Sequence, residues 1–193
     1  MDKEQQQSHW DQKYEEGLPS LTTPDPFFLA AFSQFVAHQF PDGGVALDLA
    51  GGLGRHALWL ASRKWEVSVV DISEVALQKL NQKATQLELE LELFVGDAAE
   101  YGFELAHFDL IVCFYHIDRR LSPRIVSALK TDGFLICKNR LNWGSEGDPT
   151  PSDTGPLGAN EILSLFPELQ VVYHGERSVR GRGVLEYVGK KTK

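Results

Sequence analysis

Three aspartates close, or nearly close, apolar runs in the middle of this chain, and a glycine turn follows the first. Asp48 stands in Val45-Ala46-Leu47-Asp48-Leu49, Asp71 ends Val67-Ser68-Val69-Val70, and Asp97 follows Phe94-Val95-Gly96. Apolar runs of this length read as buried parallel strands, and ligands in such sheets sit outside the strands' carboxyl ends. After Asp48 come Ala50-Gly51-Gly52-Leu53-Gly54 and then Arg55-His56-Ala57-Leu58-Trp59-Leu60-Ala61, with helical spacing. Glycines let backbone approach a ligand, and the free N–H groups of a following helix would face it. Ala50 fits the turn if its φ stays negative.

Two cofactor chemistries compete for this turn. Gly52-Leu53-Gly54-Arg55-His56-Ala57 satisfies the dinucleotide fingerprint, and Asp71 lies at the spacing of a ribose-binding acid. Asp48 argues the other way. A pyrophosphate would meet its carboxylate, whereas a cationic amino-acid group would be attracted by it. Asp97 has no task in a dinucleotide site, but it offers an acceptor for an adenine amine.

These residues resemble the motifs of the class I S-adenosylmethionine-dependent methyltransferases. Asp48-Leu49-Ala50-Gly51-Gly52-Leu53-Gly54 is similar to their D-x-G-x-G-x-G, with alanine at the first glycine. Asp71 and Asp97-Ala98 fall where that family binds ribose and adenine. Phe108-Asp109-Leu110-Ile111-Val112 resembles its fourth strand, and Leu129-Lys130-Thr131-Asp132-Gly133-Phe134-Leu135 its turn into strand five. Trp10-Asp11-Gln12-Lys13-Tyr14, Gly54-Arg55 and Gly155-Pro156 through Glu161-Ile162 add a likeness to the small tellurite-resistance and thiopurine-type enzymes. His56 departs from the asparagine common after that arginine.

The resemblance implies a doubly wound, mostly parallel seven-stranded α/β sheet in the order 3-2-1-4-5-7-6 with an antiparallel C-terminal hairpin. It also implies S-adenosylmethionine as cofactor, held by Trp10, Tyr14, Asp48, Ala50, Gly51, Gly52, Arg55, Asp71, Ile72, Asp97, Ala98 and Cys113, with S-adenosylhomocysteine as product. Trp10 and Tyr14 are four apart, on one face if helical, and in the similar enzymes that segment lies over the cofactor. From spacing alone the pair reads first as aromatic packing on the domain, and the resemblance raises the flap reading.

On the acceptor side, Tyr115 and His116 leave strand four and are the candidate catalytic residues. Trp143, in the long loop, and Arg177, near a basic position of the similar small enzymes, are the candidate substrate residues. The activity expected is methyl transfer to a small molecule by in-line displacement. A sulfonium methyl is already activated, so the protein supplies mainly alignment, and a base only for a protonated nucleophile. A non-catalytic S-adenosylmethionine-binding module and an NAD(P)-dependent oxidoreductase are the alternatives.

The elements that must position these residues follow from periodicity. Asp25 caps a helix that starts at Pro26 and carries Phe27, Phe28, Ala31, Phe32, Phe35, Val36 and Phe40. Ser73 caps a second helix with Val75, Ala76, Leu77, Leu80, Ala84 and Leu87 inward. A third strand begins near Leu89, a fourth spans 108–114, a helix spans 123–130, and a fifth strand spans 134–138. Leu141 to Gly158 is the expected substrate lid. A short helix from Asn160 or Glu161 and two strands, 169–174 and 184–188, close the chain. The expectation is one domain over 1–193: flap and helix 1–44, cofactor core 45–140, lid 141–158, C-terminal helix and hairpin 159–193.

Composition bounds the rest. The 193 residues include 27 acidic and 19 basic ones, for a net charge of −8, which disfavours nucleic acid and anionic membrane as partners. Cys113 and Cys137 lie in apolar runs and read as buried free thiols; the six histidines show no metal-ligand spacing, so no metal is expected. The polar start of the chain and the lack of a disulfide pattern suggest a cytoplasmic protein.

Overall fold

The computed structural model describes residues 2–17, 23–142 and 153–193. Its seven strands form one sheet in the order β3-β2-β1-β4-β5-β7-β6, the order expected. The chain divides into two compact units, Met1–Gly102 and Phe103–Lys193.

The first unit opens with α1 (Lys3–Glu15), capped by Asp2 in a capping box with Gln5. No side chain of α1 is buried. Asp25 then accepts the Phe27 N–H and caps α2 (Pro26–Ala31), with proline in the first turn. The chain widens at once into a π turn over Phe32–Val36. The expected helix is therefore shorter than its apolar stripe. That stripe still packs: Phe28 meets His56 at 4.7 Å and Trp59 at 5.4 Å between ring centroids, and Phe32 meets Trp59 and Trp65. The edge-on pairs among these, Phe28–Trp59, Phe32–Trp59 and Phe32–Trp65, each contribute about 0.5–1.5 kcal/mol beyond their area.

Three parallel strands carry the first unit: β1 (Val45–Leu49), β2 (Glu66–Asp71) and β3 (Glu92–Val95). The central pair is buried because Ala46, Leu47, Leu49, Val67, Val69 and Val70 leave no polar face. α3 (Arg55–Ala61) follows β1, and α4 (Glu74–Gln86) follows β2 with the expected Ser73 cap on the Ala76 N–H. The strict alternation 87–93 resolves late. Leu87 is exposed, Glu88 has φ +55°, and β3 begins only at Glu92, where Ser68 Oγ donates to its carboxylate at 2.6 Å.

In the second unit, β4 (Phe108–Phe114) and β5 (Leu129–Leu141) are parallel neighbours. α5 (Ser122–Ala128) ends two residues earlier than the spacing suggests. Its last carbonyls are met by Lys191, whose Nζ donates to Val126 and Leu129 O at 2.8 and 2.7 Å, so the chain turns into the sheet at once. Leu129 already pairs with Phe108; residues 130–133 then bulge around Asp132 at φ +67° before Phe134 pairs with Leu110. β5 is thus longer than the apolar run 134–138, because its far end pairs with β7 instead of β4.

After α6 (Glu161–Leu165), β6 (Leu169–Val179) and β7 (Arg182–Lys191) form the antiparallel hairpin. Both strands outrun their apolar centres. Arg180 and Gly181, at φ +52° and +77°, make a two-residue turn, so Arg177 lies within β6 and Arg182 begins β7. No helix among the described residues is long and apolar enough to cross a membrane.

Candidate functional site

The first unit gathers most of the expected cofactor residues around the turn after β1. The turn winds through alternating left-handed residues: Ala50 at φ +53°, Gly52 at +56° and Gly54 at +69°. The negative φ expected of Ala50 is therefore wrong. Its methyl group stands in a region that costs an L-residue about 1–2 kcal/mol. Gly54, left-handed, forms the N-cap of α3.

Asp48 lies under the turn, 1% exposed. A Cβ on Gly51 would stand 3.1 Å from its Oδ2, so the glycine brings backbone directly onto the carboxylate. The Ala57 N–H, in the first turn of α3, donates to this carboxylate. One N–H at the start of α3 is thus taken up from within. Among the described residues Oδ2 of Asp48 has no hydrogen-bond partner. Burial pushes the Asp48 carboxyl up to about 7; Arg55 and the Ala57 N–H oppose that rise, and Asp71 adds to it. Arg55 itself faces Asp25 at 3.8 Å, so it is shared between the α2 cap and the turn.

Asp71, at the end of β2, is buried and accepts the Gly52 N–H at 2.7 Å and the Ser73 N–H at 2.9 Å, one on each oxygen. Ile72 is the half-buried residue between them. From β3, the Gly96 N–H bonds to the Asp71 carbonyl at 2.9 Å, and Asp97 caps the short turn 98–100 through the Ala99 N–H, with Ala98 buried. The three acids thus hold successive strand-end turns.

α1 lies over this arrangement. A Cβ on Gly52 would stand 2.4 Å from Tyr14 Oη, so the phenol rests on the glycine. Burial, with Asp71 next, pushes the Tyr14 hydroxyl well above its usual range, and it stays protonated. Trp10, 40% exposed, packs on Tyr14 at 6.1 Å between centroids. Both readings of the pair therefore meet here: an aromatic contact, placed over the turn. Asp11, on the same helix, was not singled out in the sequence. Its Oδ1 accepts Ser73 Oγ–H at 2.6 Å and the Val75 N–H at 3.2 Å. Its neighbour Trp10 drew the eye, and an aspartate in a polar helix carries no periodic signal.

The second unit holds the remaining candidates. Cys113 is buried near the end of β4 and donates its thiol to the His116 carbonyl. Cys137 is its partner in register on β5; burial, with Cys113 next, pushes its thiol up, and both thiols are free. Tyr115 is half-exposed at φ +63°, its N–H bonded to the Lys138 carbonyl at 2.7 Å. An aromatic residue in that region is an outlier that only a tightly held chain sustains. His116 follows, half-buried.

Arg177 donates from both Nε and Nη2 to the Glu186 carboxylate, which also meets Lys138 Nζ at 3.1 Å. Lys138 and Glu186 are buried, while the Arg177 side chain is 55% exposed. Burial pushes the Glu186 carboxyl up, but the bonds from Arg177 and Lys138 outweigh it and hold the group below its usual range. The buried pair was missed in the sequence because Lys138 ends an apolar run and reads as a strand terminus. The expected lid is described only at its ends. Trp143 lies outside the described residues. Asn139 Nδ2 donates to Gly155 O, and Arg119 donates to Pro156 O and the Glu161 carboxylate, which in turn accepts the Gly158 N–H. Among the described residues no group of three or more His, Cys, Asp or Glu side chains is placed to hold a metal.

The pattern of the methyltransferase-domain family matches residues 46–133. No curated protein matches the chain in sequence. Among solved structures, the chain resembles the 1,6-didemethyltoxoflavin-N1-methyltransferase of Burkholderia thailandensis, crystallised with 1,6-didemethyltoxoflavin and S-adenosylhomocysteine. The TM-score is 0.74 at 17% identity, over 97% of this chain and 88% of that one. It resembles magnesium protoporphyrin IX methyltransferase from Synechocystis PCC 6803 with TM-score 0.73 at 15% identity, over 99% and 100% of the two chains. It resembles TehB from Haemophilus influenzae with TM-score 0.71 at 15% identity, over 95% and 67%. At such identities the likeness is one of fold.

Proposed function

We propose that this protein binds S-adenosylmethionine at the glycine turn and transfers its methyl group to a small molecule; the match of residues 46–133 to the methyltransferase-domain pattern and the sheet order support the reading. One observation carries the reading. A buried carboxylate oxygen with no partner among the described residues, Asp48 Oδ2, lies beneath a turn whose Gly52 N–H is already fixed by Asp71. A dinucleotide phosphate is repelled by that pair of acids, whereas a cofactor with an ammonium group and a ribose diol suits both. The fit extends to Asp97 as an acceptor for an adenine amine and to Tyr14 above Gly52.

When bound, the cofactor supplies an activated methyl group on a sulfonium. The protein's own residues then have limited tasks. Asp48 balances a cationic head group, Asp71 orients the ribose through oxygens preset by backbone donors, and α1 excludes water from above the turn. Tyr115 and His116 are the proposed acceptor-side residues, with the left-handed backbone of Tyr115 as the support for that role. The small-molecule acceptors named for the toxoflavin and protoporphyrin enzymes, and the net charge of −8, favour a small acceptor over nucleic acid.

The test is turnover with labelled S-adenosylmethionine against a panel of thiols, amines, phenols and chalcogen oxyanions. S-Adenosylhomocysteine formed with any of them, and lost in Asp71→Ala, is the expected result. Cofactor binding without turnover across the panel would favour a binding-only role.

A further inference from the structure

α1 covers the glycine turn with no side chain fully buried; Tyr14, half-buried, rests on Gly52. The hydrophobic effect therefore holds it weakly, and polar contacts decide whether it stays closed. Lys3 pairs with Glu100, but both are exposed, and such pairs contribute little. Lys79 Nζ donates to the Tyr14 carbonyl at 2.6 Å.

Asp11 is placed differently. It accepts the Val75 N–H in the first turn of α4, where N–H groups lack intrahelical partners and a negative charge is favoured. Its second donor, Ser73 Oγ–H, belongs to a residue with no solvent exposure. The backbone N–H of that same Ser73 donates to Asp71 Oδ1, and the other oxygen of Asp71 holds the Gly52 N–H. Asp11 thus joins the helix above the turn to the carboxylate below it through one serine.

We propose that Asp11 is the latch that holds α1 closed on the glycine turn, a positioning residue that sets cofactor affinity without touching the cofactor. The consequence for affinity rests on the cofactor reading given above; the latch itself rests on the contacts. If the closed form is the binding-competent one, releasing the latch lowers apparent affinity by the fraction of molecules that open. Asparagine at this position keeps an acceptor oxygen for both donors and loses only the charge.

The experiment compares the wild-type protein with Asp11→Ala and Asp11→Asn by two readouts. Amide hydrogen exchange across residues 3–15 is measured without cofactor, and S-adenosylhomocysteine affinity is measured by calorimetry. Asp11→Ala is expected to exchange faster in α1 and bind roughly tenfold or more weakly. In turnover it raises the KM for the cofactor and leaves kcat at saturation unchanged. Asp11→Asn, which folds with the same packing, recovers most of both. Unchanged α1 exchange in Asp11→Ala overturns the latch. Faster exchange with wild-type affinity overturns its role in binding. Faster exchange in the variant, with no binding even by the wild-type protein, keeps the latch and overturns the cofactor reading instead.

Discussion

Asp48 and Asp71 stand near the ends of neighbouring strands, yet their carboxylates are supported unequally. Asp71 has a backbone N–H on each oxygen, while Asp48 is fully buried with one oxygen unpartnered among the described residues. Its raised folded value, about 7, means the native state keeps a proton that the unfolded chain releases near the usual carboxylate range. Stability from this group therefore falls as pH rises from about 4 to about 7, and the full penalty is present above that. Asp48→Asn should raise the thermal midpoint clearly at pH 8 and by a smaller amount at pH 5, while weakening S-adenosylhomocysteine binding. Scanning calorimetry at the two pH values checks the first part; a larger gain at pH 5 would refute it. Ala50 gives a second residue-scale expectation. Glycine there removes left-handed strain of about 1–2 kcal/mol but frees the unfolded chain by about 0.4–1 kcal/mol. Ala50→Gly should thus stabilise by roughly 1 kcal/mol or less in urea unfolding, and a loss of stability would count against the strained turn.

At the scale of elements, the parallel strands were legible because both faces are covered and each reads as an apolar run. Ser73 and Asp25 were legible as caps because side chain and helix start are adjacent in sequence. What the pattern hid depends on partners distant in the chain. The ends of β5, β6 and β7 are set by antiparallel pairing and not by their own composition. Asp11 acquires meaning only through Ser73, sixty-two residues away. The same holds for Lys138 and Glu186, joined across β5 and β7. Their pair makes an asymmetric prediction. Glu186→Ala removes the buried carboxylate that Lys138 and Arg177 share and should cost about 2–5 kcal/mol, whereas Arg177→Ala, removing the exposed donor, should cost about 1 kcal/mol or less. Chemical denaturation of both variants measures this, and equal losses would show that the buried pair is not the dominant one.

Among the described residues, Asp118, Glu161 and Glu186 are held low and Asp48 high. Asp118 is lowered by Arg120 against its burial; Glu161 is lowered first by Arg119, and Glu186 by Arg177 and Lys138 against its burial. Stability from these three is present above their unfolded values and lost as pH falls through their folded ones; the Asp48 contribution runs the opposite way. These groups oppose one another: the three lowered carboxylates lose stability as pH falls into the acid range, and Asp48 loses it as pH rises from about 4 to about 7. The measurement that bears most directly on the cofactor cradle is calorimetric titration of the intact chain with S-adenosylhomocysteine, beside the Asp71→Ala variant. One saturable site in the wild-type protein, and a clear loss of affinity when Asp71 is removed, is the result predicted. No binding at millimolar ligand, or the same affinity in both proteins, would contradict the assignment of the glycine turn and its two acids to S-adenosylmethionine.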